Sequence, residues 1–364
     1  MNQDLKEIFK HFRADGSFES ASPYGSGHIH DTYLVKTIEK DKDDYILQRL
    51  NNHIFKNIPQ LQHNIERVTG HLRTKLIAKP GSDIKRECLN LIYSNEGKSW
   101  IVDKNQNYWR MYIFITNHKS YNIVDSPDKA FEGGKAIGRF QAMLSDLGGE
   151  QLFETIPWFH NIEKRLDAFY DKLNTDPVKR VGSVRDEINF VIKRAEEMKV
   201  ILRLGAKGEI PVRITHNDTK FNNILLDEND KALCVIDLDT VMPGYVHYDF
   251  GDAIRTAANI ASEDEEDLSL VKMNIDLFKA YSEGYLSETS GTLNDTEKEY
   301  LAFAPHLITF TIALRFLTDY LDGDNYFKIH HEHHNLQRAR AQFKLVESME
   351  EQYDDMKRII KKLT

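Results

Sequence analysis

Three polar side chains in the middle of the chain have the types and the order that phosphoryl transfer requires. Asp218 and Asn223 lie five residues apart in the segment 215–223, and Asp237 follows after a short second strand signal. One carboxylate can accept a proton, while an Asn and Asp pair can hold Mg²⁺. Phosphoryl transfer needs little more from a protein than these groups, a loop over the phosphates and a positive charge. The sequence therefore predicts a small-molecule kinase, with Asp218 as the catalytic base and Asn223 and Asp237 as metal ligands.

The positive charge that should offset the phosphates has two candidate positions. Side chains two residues apart share one face of a strand, so Ile46 and Gln48 face the same way. In eukaryotic-like kinases the matching positions hold an apolar adenine contact and a phosphate-binding Lys. Ile46 fits the apolar contact, but Gln48 carries no charge. Lys220, two residues after Asp218, is the second candidate, and a solvated loop lysine is the alternative interpretation of it.

Two further segments are candidates for nucleotide binding. A loop upstream of a predicted hairpin consists of Gly25, Ser26, Gly27 and His28. Its glycines would let the backbone approach phosphates closely, and a plain hairpin turn is the alternative. Glu66 lies in a predicted helix, where we expect its carboxylate to accept a hydrogen bond from Gln48. An exposed helix carboxylate is the alternative interpretation of Glu66.

Hydrophobic periodicity divides the chain into a strand-rich part and a helix-rich part. Alternating segments at 31–38 and 44–50 predict a hairpin, and apolar residues at helical spacing predict a helix from Pro59 to about Lys75. Further strand-like runs cover 89–94, 99–102 and 108–116. Helical patterns then cover 127–147, 156–173, 183–204, 249–260, 265–287, 295–321 and 334–362, with short strands at 212–215, 224–226 and 232–237.

These elements predict an α+β chain with two lobes. Residues 1–116 should form a small antiparallel sheet lobe that binds the nucleotide, and residues 117–364 a helical lobe that carries the catalytic loop and the acceptor site. The candidate catalytic residues fall at strand ends, on loops that a rigid helical body would position. Asp249 comes too late in the chain to hold the metal, so we expect it to cap a helix or brace a loop.

Composition excludes several classes of protein. The 364 residues are 41% hydrophobic and carry a formal charge of −9, without a basic run. A nucleic-acid partner or an anionic membrane surface is therefore disfavoured. Cys88 and Cys234 show neither a disulfide pattern nor a metal spacing, and residues 1–12 lack the apolar core of a signal peptide. We expect a cytoplasmic protein, a monomer or weak dimer, that acts on a small molecule.

The chain resembles the aminoglycoside phosphotransferase-like kinases, and within them it is very similar to the bacterial N-acetylhexosamine 1-kinases. The stretches that carry this resemblance are 23–29, 45–48, 215–225, 236–244, 249–252 and 315–327. The resemblance implies a two-lobed, protein-kinase-like fold and ATP- and Mg²⁺-dependent phosphorylation of N-acetylglucosamine or N-acetylgalactosamine at the anomeric oxygen. It further implies sugar contacts at Asp218, Arg315 and Tyr326, and Gln48 is a residue that the subfamily shares.

Several alternatives stay open at this point. The acceptor could be another hexose, an amino alcohol or an aminoglycoside, and the uncharged Gln48 also allows a nucleotide-binding pseudokinase. Arg315 lies on an apolar helix face, where an unpaired cation is costly. It could face a polar acceptor pocket, or it could form a structural ion pair with Asp319 or Asp324. The histidine-rich run 330–334 is interpreted as a solvated loop, with a zinc site as the alternative.

Overall fold

The computed structural model describes residues 2–25 and 29–364, so the predicted nucleotide contacts Ser26, Gly27 and His28 lie outside the described residues. Helix accounts for 50% of the chain and strand for 13%. These proportions, with an antiparallel sheet followed by a mostly helical part, confirm the predicted α+β class. The chain forms two compact units.

The first unit consists of Met1–His118, Asp146–Pro157 and Leu233–Met242. Its helices are α1 (Asn2–Phe9), α2 (Ile58–Ile77) and α3 (Ile84–Glu87). Its strands are β1 (Phe18–Pro23), β2 (Asp31–Thr37), β3 (Tyr45–Leu50), β4 (Leu91–Ile92), β5 (Ile101–Val102) and β6 (Tyr108–Ile113). They pair antiparallel in the order β1-β2-β3-β6-β4, and β5 also pairs with β6. The predicted hairpin is β2 and β3.

Alternation along β3 decides which side chains reach the two faces of this sheet. Tyr45 and Leu47 are buried in a core that Met111 of β6 shares. Ile46 and Gln48 point to the opposite face and are half-buried, as the period of two requires. In the strand register Gln48 lies opposite Thr32 on one side and Arg110 on the other.

The second unit consists of Lys119–Ser145, Trp158–Ala232 and Pro243–Thr364. Its first elements are α4 (Pro127–Leu144), α5 (Ile162–Thr175), α6 (Arg185–Arg194), α7 (Val200–Ala206), β7 (Arg213–Thr215) and β8 (Ile224–Leu226). The strands β9 (Ala232–Val235) and β10 (Met242–Gly244) lie where the chain passes from one unit to the other. The last elements are α8 (Val246–Ala257), α9 (Ile275–Thr289), α10 (Asp295–Glu299), α11 (Ala304–Asp322), α12 (His334–Glu351) and α13 (Tyr353–Leu363).

Three helices that periodicity predicts as continuous are broken in the structure. The pattern at 183–204 divides into α6 and α7, that at 295–321 into α10 and α11, and that at 334–362 into α12 and α13. Pro305, near the start of α11, has no backbone N–H and suits a first helical turn, so a new helix begins there. Within the described residues no single helix is long and apolar enough to span a bilayer, and only the bent pair Asp295–Ala302 and Ala304–Asp322 passes that test jointly.

Helices α4 and α9 pack backbone against backbone, and this contact positions the site described next. A Cβ at Gly134 of α4 would lie 2.0 Å from the carbonyl oxygen of Tyr281 in α9. Only glycine permits so close an approach. The contact brings Gln141 of α4 against Tyr285 of α9, whose hydroxyl donates to the Gln141 side-chain oxygen.

Candidate active site

The loop between β7 and β8 carries the predicted catalytic residues, and hydrogen bonds to Asp249 hold its backbone in place. The Asp249 carboxylate, in the first turn of α8, accepts the backbone N–H groups of His216 (2.9 Å) and Asn217 (2.7 Å). The Thr219 hydroxyl donates to the Asp249 carbonyl oxygen at 2.6 Å. The prediction that Asp249 braces a loop is confirmed. The helix-cap alternative is wrong, because Asp249 lies inside α8 and not before it.

The packing of α4 on α9 in turn holds the Asp249 carboxylate in place. Gln141 donates to Asp249 Oδ2 at 2.7 Å, and Tyr285 orients Gln141. Burial raises the pKa of the Asp249 carboxyl, and the donors around it partly counter this effect. A buried carboxylate whose oxygens are all occupied cannot reach a substrate, so Asp249 acts only on the loop.

Asp218 and Asn223 meet within this loop. Asn223 Nδ2 donates to the Asp218 carbonyl oxygen (2.8 Å) and lies 3.2 Å from Asp218 Oδ2. This contact fixes the orientation of the amide and leaves Asn223 Oδ1 available as a hard oxygen ligand. Oxygen donors of this kind, with a carboxylate such as Asp237, are the chemistry that Mg²⁺ prefers. Each of these two residues therefore has the chemistry of a magnesium ligand.

Lys220 faces the candidate base. Its Nζ lies 3.4 Å from Asp218 Oδ1, and 40% of the Lys220 side chain is exposed to solvent. Burial alone would raise the pKa of Asp218, but Lys220 and His216 outweigh it, so the pKa lies below the usual value. Asp218 is therefore ionised at neutral pH and can accept a hydrogen bond from an acceptor hydroxyl. The loop brings Asp218, Lys220 and Asn223 together as predicted.

Arg315 on α11 lies in an aromatic cluster in the second unit. Its guanidinium carbon is 5.1 Å from the ring centre of Phe159, 5.4 Å from that of Phe327 and 5.7 Å from that of Tyr326. Tyr326 is 58% exposed, so its ring is accessible to a ligand. Among the described residues, Arg315 has no hydrogen-bond or ion-pair partner. The structure thus brings Arg315 and Tyr326 together.

The alternative of a structural ion pair for Arg315 is wrong. The Asp319 carboxylate accepts the backbone N–H groups of Tyr326 (2.7 Å) and Phe327 (2.9 Å) instead. Asp324 pairs with Arg180 at 2.6 Å. Asp319 therefore shapes the loop that carries the aromatic rings, and the Arg315 guanidinium remains available to a ligand.

His160 and Arg165 are two neighbours of this cluster that periodicity does not reveal. His160 Nε2 donates to the Asn217 carbonyl oxygen at 2.8 Å, and burial lowers the pKa of His160 to about 3, so the ring is neutral. Arg165 donates to the Phe159 carbonyl oxygen. Burial and the charge of Arg315 lower the pKa of Arg165 to about 10. Two guanidinium groups therefore lie close to each other on this side of the catalytic loop.

In the first unit, Gln48 is engaged by its strand neighbours. Its Nε2 donates to Thr32 Oγ1 (3.0 Å), and its Oε1 accepts from Arg110 Nε (2.9 Å). The expected hydrogen bond between Gln48 and Glu66 is not formed, because Glu66 lies off the buried face of α2, to which Asn64 belongs. Asn64 Nδ2 donates to backbone carbonyl oxygens, while the half-exposed Glu66 carboxylate makes no hydrogen bond to a described residue.

The remaining predicted residues of the first unit lie at the ends of its elements. Gly25 follows β1 with φ +78°, a left-handed conformation that glycine adopts without strain. Asp237 follows β9 with φ 62° and ψ 57°, and it opens a short 3-10 turn that contains Asp239. The Asp239 carboxylate forms a bidentate ion pair with Arg110, in which both N–O distances are 2.5 Å. Asp237 belongs to this unit, whereas Asn223 belongs to the second.

The histidine-rich run contributes no metal cluster to the described part of the chain. His334 Nε2 lies 3.2 Å from Asp264 Oδ2, and its ring packs on that of His331. No group of three or more potential ligands occurs among residues 2–25 and 29–364.

Solved structures of three kinases share the fold of this chain. The microcompartment-associated aminopropanol kinase is 16% identical, with a TM-score of 0.64, and the match covers 97% of this chain and 98% of that one. The amicoumacin kinase hAmiN, in complex with AMP-PNP, Ca²⁺ and amicoumacin, is 11% identical with a TM-score of 0.58, and the coverage is 97% and 92%. Choline kinase from Cryptosporidium parvum Iowa II is 13% identical with a TM-score of 0.58, and the coverage is 93% and 90%.

The sequence comparison agrees with the likeness of fold. The sequence model of the phosphotransferase enzyme family, APH, matches residues 20–285, which include the braced loop, Asp218, Asn223 and Asp237. The match covers more than half of the chain. This chain therefore belongs to the phosphotransferase enzyme family and has its kinase-like fold.

Proposed function

We propose that this protein is an ATP- and Mg²⁺-dependent kinase that phosphorylates N-acetylglucosamine or N-acetylgalactosamine at the anomeric O1. Asp218 would accept a hydrogen bond from the O1 hydroxyl and orient it for attack on the γ-phosphate. Asn223 and Asp237 would supply the oxygen ligands for Mg²⁺. When bound, the ion offsets the negative charge that the phosphate oxygens carry. The solved complex of amicoumacin kinase with AMP-PNP and Ca²⁺ supports a nucleotide and a divalent cation.

The observation that carries the choice of acceptor is Arg315, which lies among aromatic rings and pairs with none of the side chains that the structure describes. A guanidinium group has five N–H donors and no acceptor, so it binds hydroxyl and carbonyl oxygens. An N-acetylhexosamine offers both, together with apolar ring faces that can pack on Tyr326 and Phe159. Arg165 adds a second positive charge near this surface. A neutral, oxygen-rich acceptor therefore suits the cluster.

Cationic acceptors suit this cluster poorly. Aminopropanol, choline and the aminoglycosides, for which kinases of similar fold are named, carry amines that need carboxylates or open aromatic faces. Here the guanidinium of Arg315 lies close to the same rings and would repel a cationic acceptor placed on them. Asp319 and Asp324 are committed to backbone N–H groups and to Arg180. The charge of this region thus favours a sugar over an amino alcohol.

A panel of acceptors tests the proposed function. ADP release would be measured with MgATP and each of N-acetylglucosamine, N-acetylgalactosamine, glucose, galactose, choline, ethanolamine, aminopropanol and kanamycin. We expect turnover with the two N-acetylhexosamines and little with the amines. Preferred turnover of an amine would reassign the acceptor, and a protein that binds ATP but phosphorylates none of the panel would be a pseudokinase.

The proposal also includes the location and the assembly of the protein. A cytoplasmic enzyme, monomeric or weakly dimeric, would meet free sugars and ATP in a reducing compartment. Both cysteines are buried and unbridged, which suits such a compartment. We also propose that residues 1–116 bind the nucleotide and that residues 117–364 carry the catalytic and sugar-binding groups.

Replacing Arg315 should affect the acceptor and not the nucleotide. We expect Arg315→Leu to raise the sugar KM and to lower kcat/KM. The drop in kcat/KM should correspond to a loss of about 2–4 kcal/mol of transition-state stabilisation, the scale for a charged group that loses its hydrogen-bond partner. The KM for ATP should change little. Arg338→Leu is the matched control, because Arg338 of α12 also lies over an aromatic ring, that of Phe316 in α11. Loss of thermal stability with unchanged sugar kinetics would make Arg315 a structural residue.

Lys220 should matter more for turnover than Gln48. Gln48 is uncharged and bonded to Thr32 and Arg110, whereas the Lys220 ammonium is half-exposed beside Asp218. We therefore expect Lys220→Met to lower kcat more than Gln48→Met, since only the former removes a charge near the transferred phosphate. Steady-state kinetics at saturating ATP and sugar would rank the two. The reverse ranking would return phosphate binding to Gln48.

A further inference from the structure

We propose that Arg110 is a positioning residue that sets the affinity of the site for the magnesium complex of the nucleotide. It would do so through its buried ion pair with Asp239, which fixes the turn that carries Asp237. The inference rests on the proposed function, in which Asp237 is a metal ligand. It assigns a task to the buried ion pair that connects β6 with that turn.

The geometry of Arg110 excludes a direct phosphate contact. Arg110 lies in β6 opposite Gln48, and its Nε donates to the Gln48 amide oxygen at 2.9 Å. Its Nη1 and Nη2 each donate to one carboxylate oxygen of Asp239 at 2.5 Å. The two side chains are only 2% and 3% exposed. The position that holds a phosphate-binding Lys in other kinases therefore has a neutral Gln, whose task is to orient a guanidinium that points to the protein.

Two further contacts hold Asp239. His30 Nδ1 accepts the backbone N–H of Asn51 at 3.0 Å, which leaves Nε2 as the ring nitrogen that can donate. That Nε2 lies 3.3 Å from Asp239 Oδ2. The Thr155 hydroxyl donates to the Asp239 carbonyl oxygen at 2.8 Å. Side chain and backbone of Asp239 are thus held by three separate segments of the first unit.

The segment that Asp239 anchors contains a backbone conformation that needs support. Asp237 has φ 62° and ψ 57°, in the left-handed region, which is unfavourable for a residue with a Cβ. The residues that follow form a 3-10 turn, Leu238–Thr240, and Asn64 Nδ2 donates to the Val241 carbonyl oxygen at 3.0 Å. Strained backbone persists only where surrounding contacts fix it. Without the ion pair, the turn is free to relax and to redirect the Asp237 carboxylate.

The consequence should appear in metal affinity more than in acceptor binding. Residues that orient metal ligands typically change metal affinity or activity by about 10–100-fold when they are replaced. We therefore expect loss of the Arg110–Asp239 pair to raise the Mg²⁺ concentration needed for half-maximal ADP binding by about 10–100-fold. The affinity for ADP in EDTA and the sugar KM should stay at their wild-type values.

Calorimetric titration of ADP at several Mg²⁺ concentrations, and in EDTA, provides the test. The variants are Asp239→Asn, which keeps the shape but removes the charge, and the double variant Arg110→Met with Asp239→Leu. The double variant fills the volume of the ion pair with apolar side chains. It should fold, because replacement of a whole buried ion pair by apolar residues is usually tolerated. Arg49→Met is the matched control, since Arg49 pairs with Asp31 on the exposed part of the same sheet.

The outcomes separate this inference from the proposed function. A shift of the Mg²⁺ dependence in Asp239→Asn and in the double variant, but not in Arg49→Met, supports the positioning role. Wild-type Mg²⁺ dependence in the folded double variant overturns it, because the pair would then serve stability alone. A wild-type protein that binds ADP no better with Mg²⁺ than in EDTA overturns the proposed function itself, and this inference with it.

Discussion

Asp218→Asn should lower kcat by about 10²–10⁴-fold, which is the usual scale for a positioned acid or base. The amide cannot accept the proton of the sugar hydroxyl, and it loses the charge that Lys220 and His216 stabilise. The backbone of the loop should keep its position, because Asp249 holds it through His216 and Asn217. We therefore expect ADP binding and thermal stability to remain close to those of the wild type.

Steady-state kinetics of purified Asp218→Asn, together with nucleotide titration and thermal unfolding, would check this result. Asp186→Asn is a suitable control, because Asp186 is an exposed carboxylate of α6 with no place in the site. Wild-type turnover in Asp218→Asn would show that another group receives the proton.

Asp237→Ala should reduce Mg²⁺-dependent turnover more completely than Asn223→Ala. A carboxylate contributes a full charge to a hard cation, whereas an amide contributes only a dipole. Since a bound metal ion stabilises the transition state by several kcal/mol, we expect a loss of about 10³-fold or more for Asp237→Ala. The Asn223→Ala variant should retain measurable turnover that rises with added Mg²⁺. Kinetics as a function of Mg²⁺ concentration would rank the two, and equal, mild losses would place the metal elsewhere.

The loop between β7 and β8 could be predicted from the sequence because its geometry is local. Asp218 and Asn223 are separated by a single turn between two short strands, so their contact follows from spacing. The hairpin and the faces of Ile46 and Gln48 were predictable for the same reason, since alternation along a strand has a fixed period. The breaks before α11 and α13 were not predictable from periodicity, which continues across both of them.

The expected partner of Gln48 shows where such reasoning fails. Glu66 has the chemistry for the contact, but helix geometry decides which side chains point inward. Asn64 lies on the apolar stripe with Leu61, Ile65 and Val68, and it is fully buried, whereas Glu66 lies off that stripe. Asn64 could have been identified from the sequence as the inward-pointing polar residue, because it lies on this apolar stripe.

The spacing of residues in the sequence could not show that Arg110 belongs to the site. Its partner Asp239 is 129 residues away, and no local pattern links two such positions. A single Arg within a strand of apolar and aromatic residues was nevertheless visible, just as it was for Arg315 in α11. For both arginines the fold was needed to show the partner: a carboxylate for Arg110, and a cluster of rings for Arg315.

The position of the phosphate on the product tests the central claim most directly. ¹³C-labelled N-acetylglucosamine and N-acetylgalactosamine would each be incubated with the protein, ATP and Mg²⁺, and the product examined by ³¹P and ¹³C NMR. We predict phosphorus–carbon coupling at C1 and the loss of the reducing end, as in a sugar 1-phosphate. Coupling at C6 with a retained reducing end, or no labelled product from either sugar while an amine acceptor is phosphorylated, would contradict the assignment.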